Sequence, residues 1–204
     1  MPRKHTPSPR VVVFAGPNGA GKSTHADAIL AALKIETFVN ADYIARGLSG
    51  RNTEVVAFEA GRIMLKRLRQ LGDAGVDFAF ESTLSSRTFA PFLQRLKQRG
   101  YRVVIYYFSL ENAQLAVRRV KLRVGLGGHD VPADVVKRRF GRSLNNFFTL
   151  YASSASSSPL ADEWTLLDNS STLQAIPVAK KIDNELNIFE IKKWQKLHKL
   201  STTL

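Results

Sequence analysis

The chain has 204 residues, 44% of them apolar, which is enough to bury one α/β core, and it contains no cysteine, which excludes a disulfide framework and thiolate-bound zinc. Its formal charge of +13 points to a polyanionic partner, nucleotide or nucleic acid, without choosing between them. The basic opening MPRKHTPSPR is followed by an apolar run too short for an export signal or a membrane span, so a cytoplasmic protein is expected.

In chain order, Val11 to Ala15 reads as a buried strand that runs into GPNGAGKST, Gly16 to Thr24. This stretch has the spacing G-x-x-x-x-G-K-S, with Gly16, Gly21, Lys22 and Ser23 at the fixed places. Glycines let successive backbone N–H groups turn inward on phosphate oxygens, the lysine adds a full positive charge, and the serine hydroxyl suits Mg²⁺. Gly16, Pro17, Asn18, Gly19, Ala20, Gly21, Lys22, Ser23 and Thr24 are therefore the expected ATP-binding loop, with Lys22 also catalytic and Ser23 on the metal. From Lys22 to Leu33 the pattern is helical, with Ala28, Ile29 and Leu33 spaced for burial, and the helix aims its N-terminus at the phosphates.

ETFVNAD gives a second strand ending near Asn40, and a helical pattern spans about Thr53 to Leu71. DFAFEST is a third strand ending at Glu81. Ser85 or Ser86 is expected to cap a helix with the apolar face Phe89, Phe92, Leu93 and Leu96 and a stop at Gly100. YRVVIYYFSL is a fourth, buried strand; the chain is then helical from Asn112 to about Val124, breaks at GLGGHDVP, and is helical again from Ala133 to Phe148. ASSASSSP, Ala152 to Pro159, is a surface loop by composition, and EWTLLDNS is a fifth strand closed by Asp168, Asn169 and Ser170. Ile176 to Phe189 reads as a hairpin turning at Asp183 and Asn184, before a basic helix with Trp194 and Leu197. The alternation predicts a three-layer α/β fold: a mostly parallel sheet of about five strands, a helical lid over about 112–148 and an extension over about 176–204, all in one domain.

Ligands of open α/β sheets bind beyond the carboxyl ends of the strands, which selects the glycine loop, Asp42, Glu81 and the DNS triplet with Asn169 on the nucleotide side. Asp42 suits a base that accepts the proton of an attacking hydroxyl, or alternatively an N-cap. Glu81 suits a group holding substrate hydroxyls or a Mg²⁺-bound water, or alternatively a structural carboxylate. Around the glycine break stand Arg118, Arg119 and Arg123 on one side and Arg138, Arg139 and Arg142 on the other; not all can face the phosphates, and Arg118 and Arg138 are taken as the catalytic pair. His129 is expected to order the loop, and the lysine-rich tail from Lys180 to Lys199 is read as a solvated face giving only weak, non-specific nucleic-acid binding.

Together GPNGAGKST, VNADYIARGL, FAFESTL and RRVKLRVGLGGHDVPADVVKRRFGRSLNNF resemble the zeta-toxin-like branch of P-loop kinases, over about Val11 to Ser170. The resemblance implies an ATP- and Mg²⁺-dependent kinase with a lid, a small-molecule hydroxyl acceptor such as a UDP-N-acetylamino sugar, and an antitoxin partner. By motif it implies Lys22 and Ser23 on phosphate and Mg²⁺, Asp42 as the catalytic aspartate and Glu81 on the substrate side, with lid arginines matched by region. Two other readings stay open on the residues alone: a nucleic-acid end kinase, favoured by the charge, and a nucleotide-binding regulator with little turnover.

Overall fold

In the computed structural model, which describes residues 8–49, 56–128, 130–153, 159–171 and 174–203, the run Val11 to Ala15 is wholly buried. It lies in β1 (Arg10–Ala15), whose side chains alternate between two cores as the pleat requires: Val11, Val13 and Ala15 face one, Val12 and Phe14 the other. β1 is flanked by parallel β3 (Phe78–Ser82) and parallel β4 (Arg102–Ser109), with Val13 opposite both Phe80 and Ile105. Outside these lie β2 (Phe38–Val39), parallel to β3, and β5 (Glu163–Asp168), parallel to β4. A strand buried on both faces must be apolar throughout, which is why β1, β3 and β4 read as continuous hydrophobic runs.

The helices fill the two outer layers. On one face α3 (Ala57–Ala74), α4 (Phe89–Gln98), α7 (Ile191–Thr203) and a π-helical turn, Phe147–Tyr151, bury Met64, Leu68, Leu93, Leu96, Phe147 and Leu197. On the other, α1 (Lys22–Leu33) and α5 (Ala113–Gly125) bury Ala26, Leu30, Ala116 and Val120. α6 (Ala133–Asn146) spans both cores, giving Val136 and Phe140 to one and Leu144 to the other.

Several expectations change. Among the described residues the sheet has seven strands, not about five, because the hairpin β6 (Ile176–Ile182) and β7 (Glu185–Ile188) pairs antiparallel with β5; the order is β2-β3-β1-β4-β5-β6-β7. Pro177 has no N–H to give the ladder, and the pairing shifts between Leu166 and Leu167 beside it, as a bulge. On α1 the buried apolar residues are Ala26 and Leu30, with Ile29 and Leu33 packed beside them, while Ala28 is exposed. A helix not foreseen, α2 (Ala41–Ser49), follows β2 directly, and α3 begins at Ala57, while Thr53 lies outside the described residues. Before α4, Ser86 Oγ accepts from the Thr88 N–H at 3.3 Å, so the serine orders the approach, while Thr88 holds the cap position. His129 and residues 154–158 of the serine-rich loop lie outside the described residues.

Candidate active site

The order of strands reverses around β1, and the crevice beyond its carboxyl end is where such sheets bind ligands. Gly16, Gly19 and Gly21 have φ of +133°, +76° and +78°, a region costly for side chains. A Cβ on Gly16 would collide with the Phe108 carbonyl oxygen, and one on Gly21 with the Asn169 amide, so conformation and close packing both demand glycine. The loop delivers the chain into α1, whose first turn carries no acidic residue, leaving the positive end of the helix dipole for an anion.

Lys22, the first residue of α1, is only 6% exposed; its Nζ donates to the Pro17 carbonyl at 3.1 Å and lies 3.5 Å from Glu81 Oε1. Ser23 Oγ donates to Glu81 Oε2 at 2.6 Å. Glu81 therefore sits against the loop lysine and serine. This all-oxygen pair suits Mg²⁺, which takes few protein ligands and keeps the rest as water and phosphate. The residues present fit a nucleotide phosphate with its metal. Asn18 Oδ1 is buried with no hydrogen-bond partner among the described residues, and as an acceptor it suits a water on such a metal rather than a phosphate oxygen.

Two clefts open on this centre. The first, of about 530 Å³, is lined by the loop, His25, Arg119, Asn169, Ser171 and Gln174. Asn169 Nδ2 donates to the Ala20 carbonyl at 2.8 Å and its Oδ1 lies 3.4 Å from His25 Nε2, tying the end of β5 to the phosphate loop. His25 in turn stacks on Phe108, with ring centroids 5.2 Å apart. Arg119 grips the same segment from α5, donating to the carbonyls of Asn169 (2.6 Å), Ser170 (3.1 Å) and Ser171 (3.1 Å). The second cleft, of about 710 Å³, has an apolar wall of Phe58, Met64, Leu65 and Phe89, hydroxyls from Ser82, Thr83, Ser86 and Thr88, and the charges of Asp42, Arg62, Arg123 and Arg139. Gly19, Lys22, Glu81 and Arg123 line both clefts.

Asp42 stands in the first turn of α2, half exposed, with Oδ2 3.9 Å from an Arg123 nitrogen. It is not the cap: Asn40 Oδ1 accepts from the Asp42 N–H at 2.8 Å and the Asn40 carbonyl from the Ile44 N–H at 3.1 Å. Arg118 and Arg138 are exposed and line neither cleft, and Arg142 is exposed as well; of the six arginines around the glycine break, Arg119, Arg123 and Arg139 line the clefts. Helix periodicity explains the difference, since Arg119 and Arg123 are four apart on one face of α5 and Arg118 lies about 100° away. Thr24 is exposed at the rim of the nucleotide cleft, and Ala20 is buried behind the loop.

Sequence reasoning missed the supports beneath the acceptor cleft. After β3 the chain passes through Leu84 in the left-handed region, φ +52°, although its side chain is buried. Ser143 Oγ donates to the Thr83 carbonyl at 2.5 Å and Asn146 Nδ2 to the Leu84 carbonyl at 2.8 Å, so α6 holds this turn in place. Polar residues on the otherwise apolar face of α6 were the available signal.

The fold and the loop define a P-loop nucleotide-binding protein of the kinase type. The family model for the zeta toxin matches residues 2–158, and the chain belongs to that family. An uncharacterized protein of Haemophilus influenzae is 28% identical over 131 residues, which cover 64% of this chain and 92% of that one. The AvrRxo1-ORF1:ORF2 complex with ATP superposes with a TM-score of 0.73 at 16% identity, over 93% of this chain and 63% of that one, so the chain spans less than two thirds of that protein's length. A chain of the PezAT chromosomal toxin–antitoxin system of Streptococcus pneumoniae superposes with a TM-score of 0.58 at 15% identity, over 100% of this chain and 90% of that one. At these identities the structural likenesses speak for the fold. Among the described residues no helix is long and apolar enough to cross a membrane.

Proposed function

We propose that the protein is an ATP-dependent phosphotransferase that passes the γ-phosphate of Mg²⁺·ATP to a hydroxyl of a small molecule. The observation that carries this reading is that the nucleotide cleft and the second, acceptor-sized cleft meet at Lys22, Glu81 and Arg123, with Asp42 on the acceptor side of the junction. Bound Mg²⁺·ATP supplies the transferable phosphoryl group and a neutralising metal. The glycine loop and Lys22 hold its phosphates, and Ser23 and Glu81 offer oxygens on the metal side. Asn169, clamped by Arg119, shapes the wall of the nucleotide cleft. Asp42 accepts the proton of the attacking hydroxyl, since its exposed carboxylate lines the acceptor cleft within reach of a bound hydroxyl. Arg123, and Arg139 from α6, take the charge-stabilising role in place of Arg118 and Arg138.

Membership of the zeta toxin family supports a UDP-N-acetylamino sugar as the first acceptor to try and action as the toxin of a toxin–antitoxin pair, the setting of the Streptococcus pneumoniae neighbour. The test of the nucleotide half is calorimetry with Mg²⁺·ATP on Lys22→Ala. Removing a buried cation that faces a polyanion weakens binding by about 100-fold. Unchanged affinity contradicts the reading.

A further inference from the structure

Asn40 is 5% exposed and lies between β2 and α2, where the strand hands the chain to the helix bearing Asp42. Both ends of its amide are used. Oδ1 accepts from the Asp42 N–H at 2.8 Å, and Nδ2 donates to Glu81 Oε2 at 3.1 Å, the same oxygen that receives the Ser23 hydroxyl at 2.6 Å. Glu81 Oε1 meanwhile faces Lys22 at 3.5 Å. One buried amide thus touches the start of the helix that carries the acceptor-side carboxylate and the carboxylate on the metal side.

We infer that Asn40 is a positioning residue that couples Asp42 to Glu81: its oxygen fixes the start of α2, and its NH₂ fixes the rotamer of Glu81 against Ser23. The inference rests on the reading of Ser23 and Glu81 as the metal side of the site. Few side chains can serve both ends. Aspartate has the reach and caps a helix well but has no hydrogen to give Glu81, and would set a second carboxylate against it. Serine caps a helix, but its single oxygen cannot also span to Glu81. Outer hydrogen bonds of this kind keep a ligating carboxylate in one orientation, and their loss typically costs 10- to 100-fold in metal affinity.

The experiment compares ATP affinity by calorimetry in Mg²⁺ and in EDTA, for the native chain, Asn40→Ser and Glu81→Gln. Amide exchange over Asp42 to Ile44 and the melting temperature are recorded beside it. In Asn40→Ser the serine keeps the cap, so exchange and melting stay near native, while the Mg²⁺-dependent gain in ATP affinity falls about 10-fold. Glu81→Gln loses the gain to at least the same extent. If Asn40→Ser keeps the native gain while Glu81→Gln loses it, the coupling is overturned and the metal-side reading survives. If Glu81→Gln also keeps the gain, that reading fails and takes the inference with it. A loss of gain that appears only together with lost protection in α2 reduces Asn40 to a helix cap and overturns the coupling. Should Asn40→Ser unfold, Asn40→Thr, another capping residue without the reach, carries the same comparison.

Discussion

Asp42 is half exposed, its carboxylate lies 3.9 Å from an Arg123 nitrogen, and its backbone N–H is held by Asn40 at 2.8 Å, so it is placed mainly through the start of its helix. Asn at this position preserves size and leaves the cap untouched, because Asn40 supplies it. Asp42→Asn is therefore expected to keep fold and ATP affinity while single-turnover transfer falls by roughly 10²- to 10⁴-fold, the usual span for losing general-base help; near-native transfer reduces Asp42 to a surface charge. The arginines make a second comparison. Arg123 lines both clefts and Arg118 lines neither, so Arg123→Ala should lower turnover by about 10²-fold, the scale of one lost charge-stabilising donor, and Arg118→Ala by less than about 2-fold. The reverse order returns the catalytic role to Arg118. Glycine spacing made the loop legible in the sequence, because only a few residue types allow that backbone. Which arginine faces inward was not legible, since a run such as VRRVKLR places charges all round a helix and only packing of Ala116 and Val120 sets its rotation.

At the scale of elements, α5 is bolted to the molecule rather than hinged as a whole. Asn112 Oδ1 caps it by accepting from the Leu115 N–H at 2.8 Å, Ala116 and Val120 are buried, and Arg119 binds three carbonyls beyond β5. Its other end is closed by Gly127 at φ +81° and by the Gly128 N–H donating to the Arg123 carbonyl at 2.9 Å. On the proposal that the helices beyond β4 form a lid, closure over nucleotide is expected to move early α6 and not α5. Hydrogen exchange with a non-hydrolysable nucleotide should slow over the connection and early α6, with residues 113–122 unchanged; uniform slowing across α5 means the whole helix moves. Helices α5 and α6 were readable because GLGG and Pro132 interrupt an otherwise helical pattern. The short helix α2 was hidden because strand β2 has only two residues and a single residue, Asn40, separates it from the helix.

Across the whole molecule, the hairpin and α7 extend and brace the sheet, and α7 reaches the carboxyl ends of β4 and β5 through two ion pairs, Lys196 with Glu111 and Lys193 with Asp168. Lys193 on α7 lies 2.8 Å from Asp168 at the end of β5, next to Asn169. Burial alone would raise the Asp168 pKa, yet Lys193 and Ser170 hold it below the ordinary carboxylate value, while the bond to Asp168 pushes Lys193 upward. A depressed carboxylate contributes stability above its unfolded pKa, about 3.9, and loses it as pH falls through the folded value; the raised lysine contributes below about 10.4 and loses it as pH rises beyond. The pair is partly exposed, so Lys193→Met should lower the melting temperature at pH 7 by only about 2–4 °C, with the gap narrowing at pH 3; a gap independent of pH assigns the loss to packing. The strand count was underread from sequence because a polar hairpin looks like an appendage until its pairing partner is known, and β5 is that partner. Transfer of the terminal phosphate of ATP onto a hydroxyl through Asp42 is the proposed activity. Its most direct test is incubation of the native chain and Asp42→Asn with γ-labelled ATP, Mg²⁺ and a metabolite extract to which a UDP-N-acetylamino sugar is added, with mass spectrometry of the products. The account predicts a labelled phosphomonoester of a small molecule that forms with the native chain and is lost with the variant, whereas no labelled small-molecule product, or equal yields from both, would contradict it.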